Sequence, residues 1–114
     1  MSLAVNTSIS ALHALGTRQS VTANNIATSE TTGFKKSTTI LAEGANGAVM
    51  TKAQPVNTPG TMINQPDGSL EEMSNVDLGQ ELISTISTKN AYEANLKALQ
   101  TSMDMEDTVL DLIG

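Results

Sequence analysis

The last third of the chain, from Ser74 to Ile113, carries one apolar stripe that constrains the fold more than any other feature. Its apolar residues recur at mostly three- and four-residue steps with polar residues between them, which is the period of an amphipathic helix. The stripe comprises Leu78, Leu82, Ile86, Tyr92, Leu96, Leu99, Met103, Leu110 and Ile113. At about 1.5 Å per residue this helix would be roughly 50 Å long. A small globule cannot cover that length, so we expect the stripe to meet a partner helix.

The start of this helix has its own local signals. Asp77 is expected to accept hydrogen bonds from free N–H groups of the first turn, and Gln80 has the position that a capping box requires. No proline follows within the stretch.

A second helix is predicted from Leu3 to about Ala27. Its seam follows the 4-3-4-3 spacing of helices packed side by side. The seam residues are Val5, Ile9, Leu12, Gly16, Gln19, Ala23 and Ile26. Gly16 costs about 1 kcal/mol relative to alanine in a helix interior, so this helix also needs a partner.

The segment between the helices indicates a small β insert. The turn residues from Ser29 to Gly33 end the first helix. Residues 36–43 and 48–56 contain β-branched residues, and Asn46-Gly47 between them predicts a β-hairpin. Three prolines, two of them beside turn residues, then indicate a connector with room for one short strand near residues 61–64.

These elements predict a mainly α fold in which long terminal helices pair as a helical hairpin or coiled coil. We expect an N-terminal helix region over residues 1–33, a hairpin and connector over 34–73, and a C-terminal helix region over 74–114. Only two aromatic residues are present, Phe34 and Tyr92, so the core should be thin.

The net charge of −6 argues against nucleic-acid binding. Residues 77–114 carry two lysines against seven acidic residues, whereas residues 1–42 are slightly basic. The two ends should therefore attract each other, within one molecule or between neighbours. The sequence has no signal-peptide pattern and no apolar run of membrane-spanning length. We therefore expect a soluble or assembled protein rather than one inserted in a membrane.

Candidate catalytic or metal-binding groups are sparse. His13 is the single histidine and has no spaced acid or cysteine, so we interpret it as a packing or surface residue. An acidic cluster near the end of the last helix is either a solvated face, a cation site or a docking point for a basic partner. It consists of Asp104, Glu106, Asp107 and Asp111. We predict no catalytic residue, no cofactor and no metal.

Two stretches, residues 10–37 and 74–113, closely resemble the two ends of the bacterial flagellar rod and hook family. The first contains Ala-Asn-Asn-Ile-Ala followed by Thr-Gly-Phe-Lys, and the second contains Ser-Asn-Val-Asp-Leu and Ala-Tyr-Glu-Ala-Asn. Thr28 departs from the family pattern, which usually has asparagine there. The motif residues are Ala23, Asn24, Asn25, Ile26, Gly33, Phe34, Asn75, Val76, Asp77, Tyr92, Ala94 and Asn95.

The resemblance implies a structural subunit of the flagellar basal-body rod, most like a short proximal rod protein. Members of the family are exported through the flagellar type III apparatus without a cleaved signal. They assemble into a tube through coiled-coil packing of their terminal helices. The implied partners are other rod subunits, copies of the chain and the export apparatus, and the implied location is the periplasm-spanning rod.

We predict an assembly interface made of apolar residues from both helices. It comprises Ile9, Leu12, Ile26, Leu82, Ile86, Tyr92, Leu96, Leu99 and Met103. Asn24, Asn25 and Asn95 either form hydrogen bonds between subunits or cap helices and face solvent. The alternative function is a soluble helical adaptor or export-chaperone-type module that forms a closed dimer.

Overall fold

The computed structural model describes residues 3–113, and its longest elements are the two predicted helices. Helix α1 spans Leu3–Ala27 and helix α2 spans Leu78–Ile113. They pack side by side in opposite directions, and the end of α1 contacts the start of α2 through Asn25 and Glu81. The prediction of a mainly helical fold with paired terminal helices is confirmed. The molecule is elongated, measuring 78 × 24 × 13 Å.

Local chemistry determines where the helices end. Gly33 has a φ of 69° in the turn after α1, a value that glycine adopts without strain. At the start of α2, Asp77 caps the helix as predicted. Its Oδ1 accepts a hydrogen bond from the Gln80 N–H at 3.3 Å, and its carbonyl oxygen accepts one from Glu81 at 3.0 Å.

The predicted β-hairpin consists of strands β1 (Ser37–Glu43) and β2 (Val49–Pro55), which pair antiparallel. Asn46 and Gly47 have φ values of 58° and 77°, the combination typical of a type I′ hairpin turn. The Ala48 N–H closes this turn on the Ala45 carbonyl at 3.1 Å. The Asn-Gly pair therefore makes the turn that the sequence predicts.

A second hairpin lies where the sequence indicates a connector with one short strand. Strand β3 (Met62–Asn64) is close to that expected strand, but strand β4 (Leu70–Glu72) was not predicted. The turn between them is stabilised by Asp67, whose Oδ1 accepts hydrogen bonds from the Ser69 N–H and hydroxyl at 2.9 and 2.6 Å. Proline and glycine in this segment thus shape a hairpin turn rather than an open connector.

Helix α1 lies between α2 on one side and the first hairpin on the other. Ser10 holds β2 to the helix, since its hydroxyl donates to the Val49 carbonyl at 2.9 Å and accepts from the Val49 N–H at 2.7 Å. Because two neighbours cover α1, its buried residues do not follow the single predicted seam. They are Val5, Ser8, Ala14, Leu15, Thr22 and Asn25, whereas Ile9, Gly16 and Ala23 of the seam are exposed.

Candidate assembly surface

The face of α2 that packs against α1 is made mostly of small or polar side chains. Thr88, which is 3% exposed, is its most buried residue, and its hydroxyl has no hydrogen-bond partner in the described part of the chain. The other half-buried positions recur at helical spacing along the same face. They are Glu81, Ser84, Thr85, Ala91, Asn95, Leu99 and Ser102. Pairing of the two helices within one molecule therefore leaves most of the apolar stripe uncovered.

The stripe lies about a quarter of a turn around α2 from this covered face. Leu82 is 49% exposed and Ile86 is 60% exposed. Of the nine residues predicted for the assembly interface, six are exposed and three are half-buried. The exposed ones are Ile9, Leu82, Ile86, Tyr92, Leu96 and Met103, and the half-buried ones are Leu12, Ile26 and Leu99.

Tyr92 brings apolar surface of α2 next to apolar surface of α1. With Ile9, Leu12 and Gly16 it lines an open groove of about 450 Å³. With Leu15 and Gly16 it also lines a second groove of about 500 Å³. A methyl group at Gly16 would have no neighbouring atom within 4 Å, so this glycine leaves a gap in the helix pair.

The C-terminal end of α2 projects beyond the first described residue of α1. Because Asn25 lies opposite Glu81 and the helices are antiparallel, Leu3 is level with about residue 103. We call residues 104–113 the α2 overhang. Its apolar side chains are more than half exposed, reaching 81% at Leu112. They are Met105, Val109, Leu110, Leu112 and Ile113.

The histidine and acidic side chains of residues 3–113 lie apart from one another. Within residues 3–113, no group of three or more histidine or acidic side chains is arranged to hold an ion. His13 lies on the exposed side of α1. In the same range, neither helix has the length of apolar sequence that a membrane crossing requires.

Comparisons with known families match both ends of the chain. Residues 5–35 match the family described as flagella basal body rod protein, and residues 67–112 match the family described as flagellar basal body rod FlgEFG protein C-terminal. The chain belongs to the flagellar basal-body rod protein family. This rod family is structural, its location is the flagellar basal body, and its members associate with other basal-body components. No curated protein matches the chain.

Among the rod-family motif residues, Asn25 connects three elements of the fold. Its side chain donates to the Ser37 carbonyl at 2.8 Å, accepts from the Ser37 N–H at 3.1 Å and donates to Glu81 Oε1 at 3.2 Å. It is only 2% exposed. Asn25 therefore does not face solvent, and its amide binds α1 to β1 and α2.

Asn75 has a similar role at the other end of the β insert. Its Oδ1 accepts a hydrogen bond from the Lys36 N–H at 2.7 Å, and its Nδ2 donates to the carbonyls of Val56 and Thr58. The N–H of Asn75 also donates to the Phe34 carbonyl at 3.2 Å. This asparagine therefore joins the chain that enters α2 to the chain that leaves α1.

The remaining motif residues are distributed between the surface and the edges of the core. Ile26, Phe34, Val76 and Asn95 are half-buried, while Ala23, Asn24, Gly33, Asp77, Tyr92 and Ala94 are exposed. Asn95 donates to the Ala91 carbonyl of its own helix at 2.9 Å. Asn24 accepts hydrogen bonds through its carbonyl from the N–H and hydroxyl of Thr28.

Glu72 is a contact residue that the sequence analysis missed. Its carboxylate pairs with Lys35 and accepts a hydrogen bond from the Gly60 N–H at 3.0 Å, while its carbonyl accepts one from the Gly33 N–H at 2.8 Å. The Lys35 hydrogen bond and then the Gly60 N–H lower the pKa of Glu72 from its ordinary value. This pair is the one ion pair within residues 3–113, and it holds the second hairpin against the turn after α1.

Proposed function

We propose that the chain is a non-enzymatic rod subunit that assembles through coiled-coil packing of α1 and α2 with helices of neighbouring subunits. The observation that carries this proposal is the arrangement of α2, which turns small polar residues toward α1 and leaves its apolar stripe exposed. Large exposed apolar surfaces on small proteins mark interaction sites. The neighbours are other rod subunits and copies of the chain, and they bury the nine interface residues predicted from the sequence.

The energetics favour assembly over a stable isolated molecule. Only three apolar side chains are buried in the described residues, namely Val5, Ala14 and Leu15. Burying one exposed leucine contributes about 1.5–3 kcal/mol. Leu82, Ile86 and Leu96 are 49%, 60% and 40% exposed, so a neighbour that covers them adds apolar burial to a molecule whose own core is small.

Family membership supports two further parts of the proposal. The chain reaches the rod through the flagellar type III export apparatus without a cleaved signal. Once there, it is a component of the tube that spans the periplasm. The same membership favours a structural role over the alternative of an adaptor that forms a closed dimer.

The test replaces two exposed stripe residues by aspartate in the source bacterium, as the double variant L82D/L96D. We expect basal bodies that lack the subunit, and cells that do not swim, because buried charges disrupt helix packing. The matched control is S87D/T101D, which places the same two charges at the same 14-residue separation on another exposed face of α2. The control should swim normally.

Two outcomes would contradict the proposal. Normal basal bodies in the L82D/L96D strain would show that the stripe is not an assembly surface. Purified chain that persists as a helical closed dimer on dilution in sedimentation experiments would instead support the adaptor function.

A further inference from the structure

We propose that a cationic cavity between α1, β1 and the start of α2 binds the acidic side chains of the α2 overhang of a second copy, which joins successive copies head to tail. This inference rests on the proposed function, because it names one neighbour in the rod and the surface that this neighbour covers.

The cavity has a volume of about 200 Å³ and lies beside the junction of the two long helices. Arg18 and Lys36 line it, and Glu81 is the one acidic residue among those that line it, so the lining has a net charge of +1. The Glu81 carboxylate already accepts a hydrogen bond from Asn25 at 3.2 Å. Pockets for drug-sized ligands are usually about 300–1,000 Å³. This smaller cavity suits an anionic side chain instead.

Several polar groups that line the cavity are unpaired in the single chain. The half-buried Arg18 guanidinium and the Lys36 ammonium group have neither an ion pair nor a hydrogen-bond acceptor within residues 3–113. The buried hydroxyl of Thr39 has no partner in the same range. A guanidinium presents five N–H donors in a planar fork that matches the two oxygens of a carboxylate. These donors therefore favour a carboxylate from another molecule.

The overhang presents carboxylates on one face. Asp104, Asp107 and Asp111 follow one another at steps of three and four residues and span about 10.5 Å along the helix. The overhang contains no basic residue, and these aspartates form no ion pair within residues 3–113. They also lie at the negative end of the helix dipole. A basic partner would therefore stabilise them.

The overhang of one chain cannot reach the cavity of the same chain. Ser84 is the last residue of α2 that lines the cavity, and Asp104 lies 20 residues farther along the same helix, which is about 30 Å. The two surfaces are therefore near opposite ends of α2 and meet only between copies. Because they are different surfaces, each head-to-tail contact leaves one cavity and one overhang free, and the chain of copies stays open.

Each surface also has an exposed apolar side chain beside its charged groups. Leu112 is 81% exposed and lies about a quarter of a turn around the overhang from Asp104. Ile83 is 68% exposed and directly precedes Ser84 of the cavity. Burial of these two side chains in the contact adds apolar stabilisation to the ion pairs.

The contact leaves the apolar stripe available to other neighbours. Ser84, which lines the cavity, is on nearly the opposite side of α2 from Leu82 of the stripe. Head-to-tail contacts through the cavity and lateral contacts through the stripe can therefore form on the same subunit, and each can be tested without the other.

The test uses introduced cysteines, because the chain has none of its own. T38C lies at the cavity and T108C on the overhang, both at exposed positions. Oxidation of an equimolar mixture of the two full-length variants, one of them carrying a size tag, should give a dimer with one chain of each kind. The matched control replaces T108C by T101C, an exposed position two turns earlier on the same face of α2, and should give little of this dimer.

A chain with both cysteines, T38C/T108C, distinguishes an open chain from a closed pair. Head-to-tail copies should give a ladder of cross-linked trimers and larger species. Two copies that exchange overhangs in a symmetric pair would give dimers alone, and this result would overturn the proposal.

The dependence on charge is tested by adding R18Q/K36Q to the T38C chain. Cross-linking to T108C should fall about tenfold or more, because the carboxylates lose both cations. The control K89Q/K97Q removes two lysines from exposed positions of α2 outside the cavity. Each change removes two positive charges, so both variants go from a net charge of −6 to −8. Equal loss of cross-linking in the two variants would overturn the proposal.

D104N/D111N on the T108C chain tests the other side of the contact and leaves the cavity unchanged. It should also lower cross-linking about tenfold, although it reduces the net charge from −6 to −4. More cross-linking would show that general repulsion governs association and would overturn the proposal. Far-UV circular dichroism checks that each variant is helical.

A free anion is the other candidate for the cavity. If inorganic phosphate raised the melting temperature of the unmodified chain but not that of R18Q/K36Q, and T38C and T108C did not cross-link, the cavity would be a free-anion site and the proposed occupant would be wrong. Swimming of the L82D/L96D strain would still decide the rod function independently, because those residues belong to the stripe.

Discussion

The side-chain nitrogen of Asn25 lies 3.2 Å from a carboxylate oxygen of Glu81, across the point where the two long helices meet. The residues are 56 positions apart in the chain. The same amide also pairs with both backbone groups of Ser37. One side chain thus fixes the relative positions of α1, α2 and the first strand.

Replacing Asn25 by alanine should lower the free energy of unfolding by about 2–3 kcal/mol. The change leaves the N–H and C=O of Ser37 without their partner, and unsatisfied buried groups are costly. Urea denaturation followed by circular dichroism measures the loss. The control is N24A, an exposed neighbour, for which we expect a change within about 0.5 kcal/mol. Equal effects of the two substitutions would contradict the role assigned to Asn25.

Gly60 should not tolerate alanine. A Cβ atom there would lie 1.9 Å from the Met73 carbonyl oxygen, so the backbone before α2 would have to move. We expect G60A to lower the melting temperature and to weaken protection from hydrogen exchange around Thr61 and Met73, whose backbones are hydrogen-bonded. A melting temperature equal to that of the unmodified chain would show that this close approach does not exist.

Gly16 should behave in the opposite way. Alanine at this position meets no atom within 4 Å and improves helix propensity, so G16A should stabilise the isolated chain by up to about 1 kcal/mol. If the groove at Gly16 accommodates a neighbour, the same substitution should weaken assembly in sedimentation experiments. G16A that improves both stability and assembly would indicate that the gap has no role in packing.

The contribution of Glu72 should depend on pH. Its pKa is lowered in the folded chain by Lys35 and the Gly60 N–H, so the carboxylate stabilises the fold at neutral pH. This stabilisation is present above the ordinary pKa of glutamate and is lost as pH falls through the lowered value. The melting temperature of E72Q should therefore lie slightly below that of the unmodified chain at pH 7 and approach it in acid. E30Q, at an exposed turn residue without an ion pair in residues 3–113, is the matched control for the loss of one negative charge.

Local signals made the helix ends and the first hairpin predictable. Asp77 and Asn46-Gly47 act on neighbouring backbone groups, so their effect does not depend on the rest of the fold. Strand β4 was missed because Leu-Glu-Glu contains no β-branched or aromatic residue. Its pairing depends on the turn at Asp67 and on Glu72 contacts with distant residues.

The candidate site was only partly predictable. Periodicity identified the apolar stripe of α2, but it does not determine which face of a helix meets which neighbour. The sequence left open whether Asn25 forms hydrogen bonds between subunits or caps a helix and faces solvent, and in the structure the residue is buried within the chain. The hydrogen bonds between Asn25 and Ser37 are possible only because β1 lies beside the end of α1.

The contact between α1 and α2 contains a hydrogen bond between side chains at one end and small side chains along the rest. Asn25 and Glu81 are hydrogen-bonded to each other at one end of the helix pair. Along the rest of α2, residues such as Ser84, Thr88 and Ala91 are too small to interlock with the side chains of α1. Helices packed through small side chains can slide past each other by small steps. The helix pair is therefore fixed by hydrogen bonds where the chain turns, and along the rest of its length the small side chains resist sliding of one helix past the other less than interlocked large side chains would.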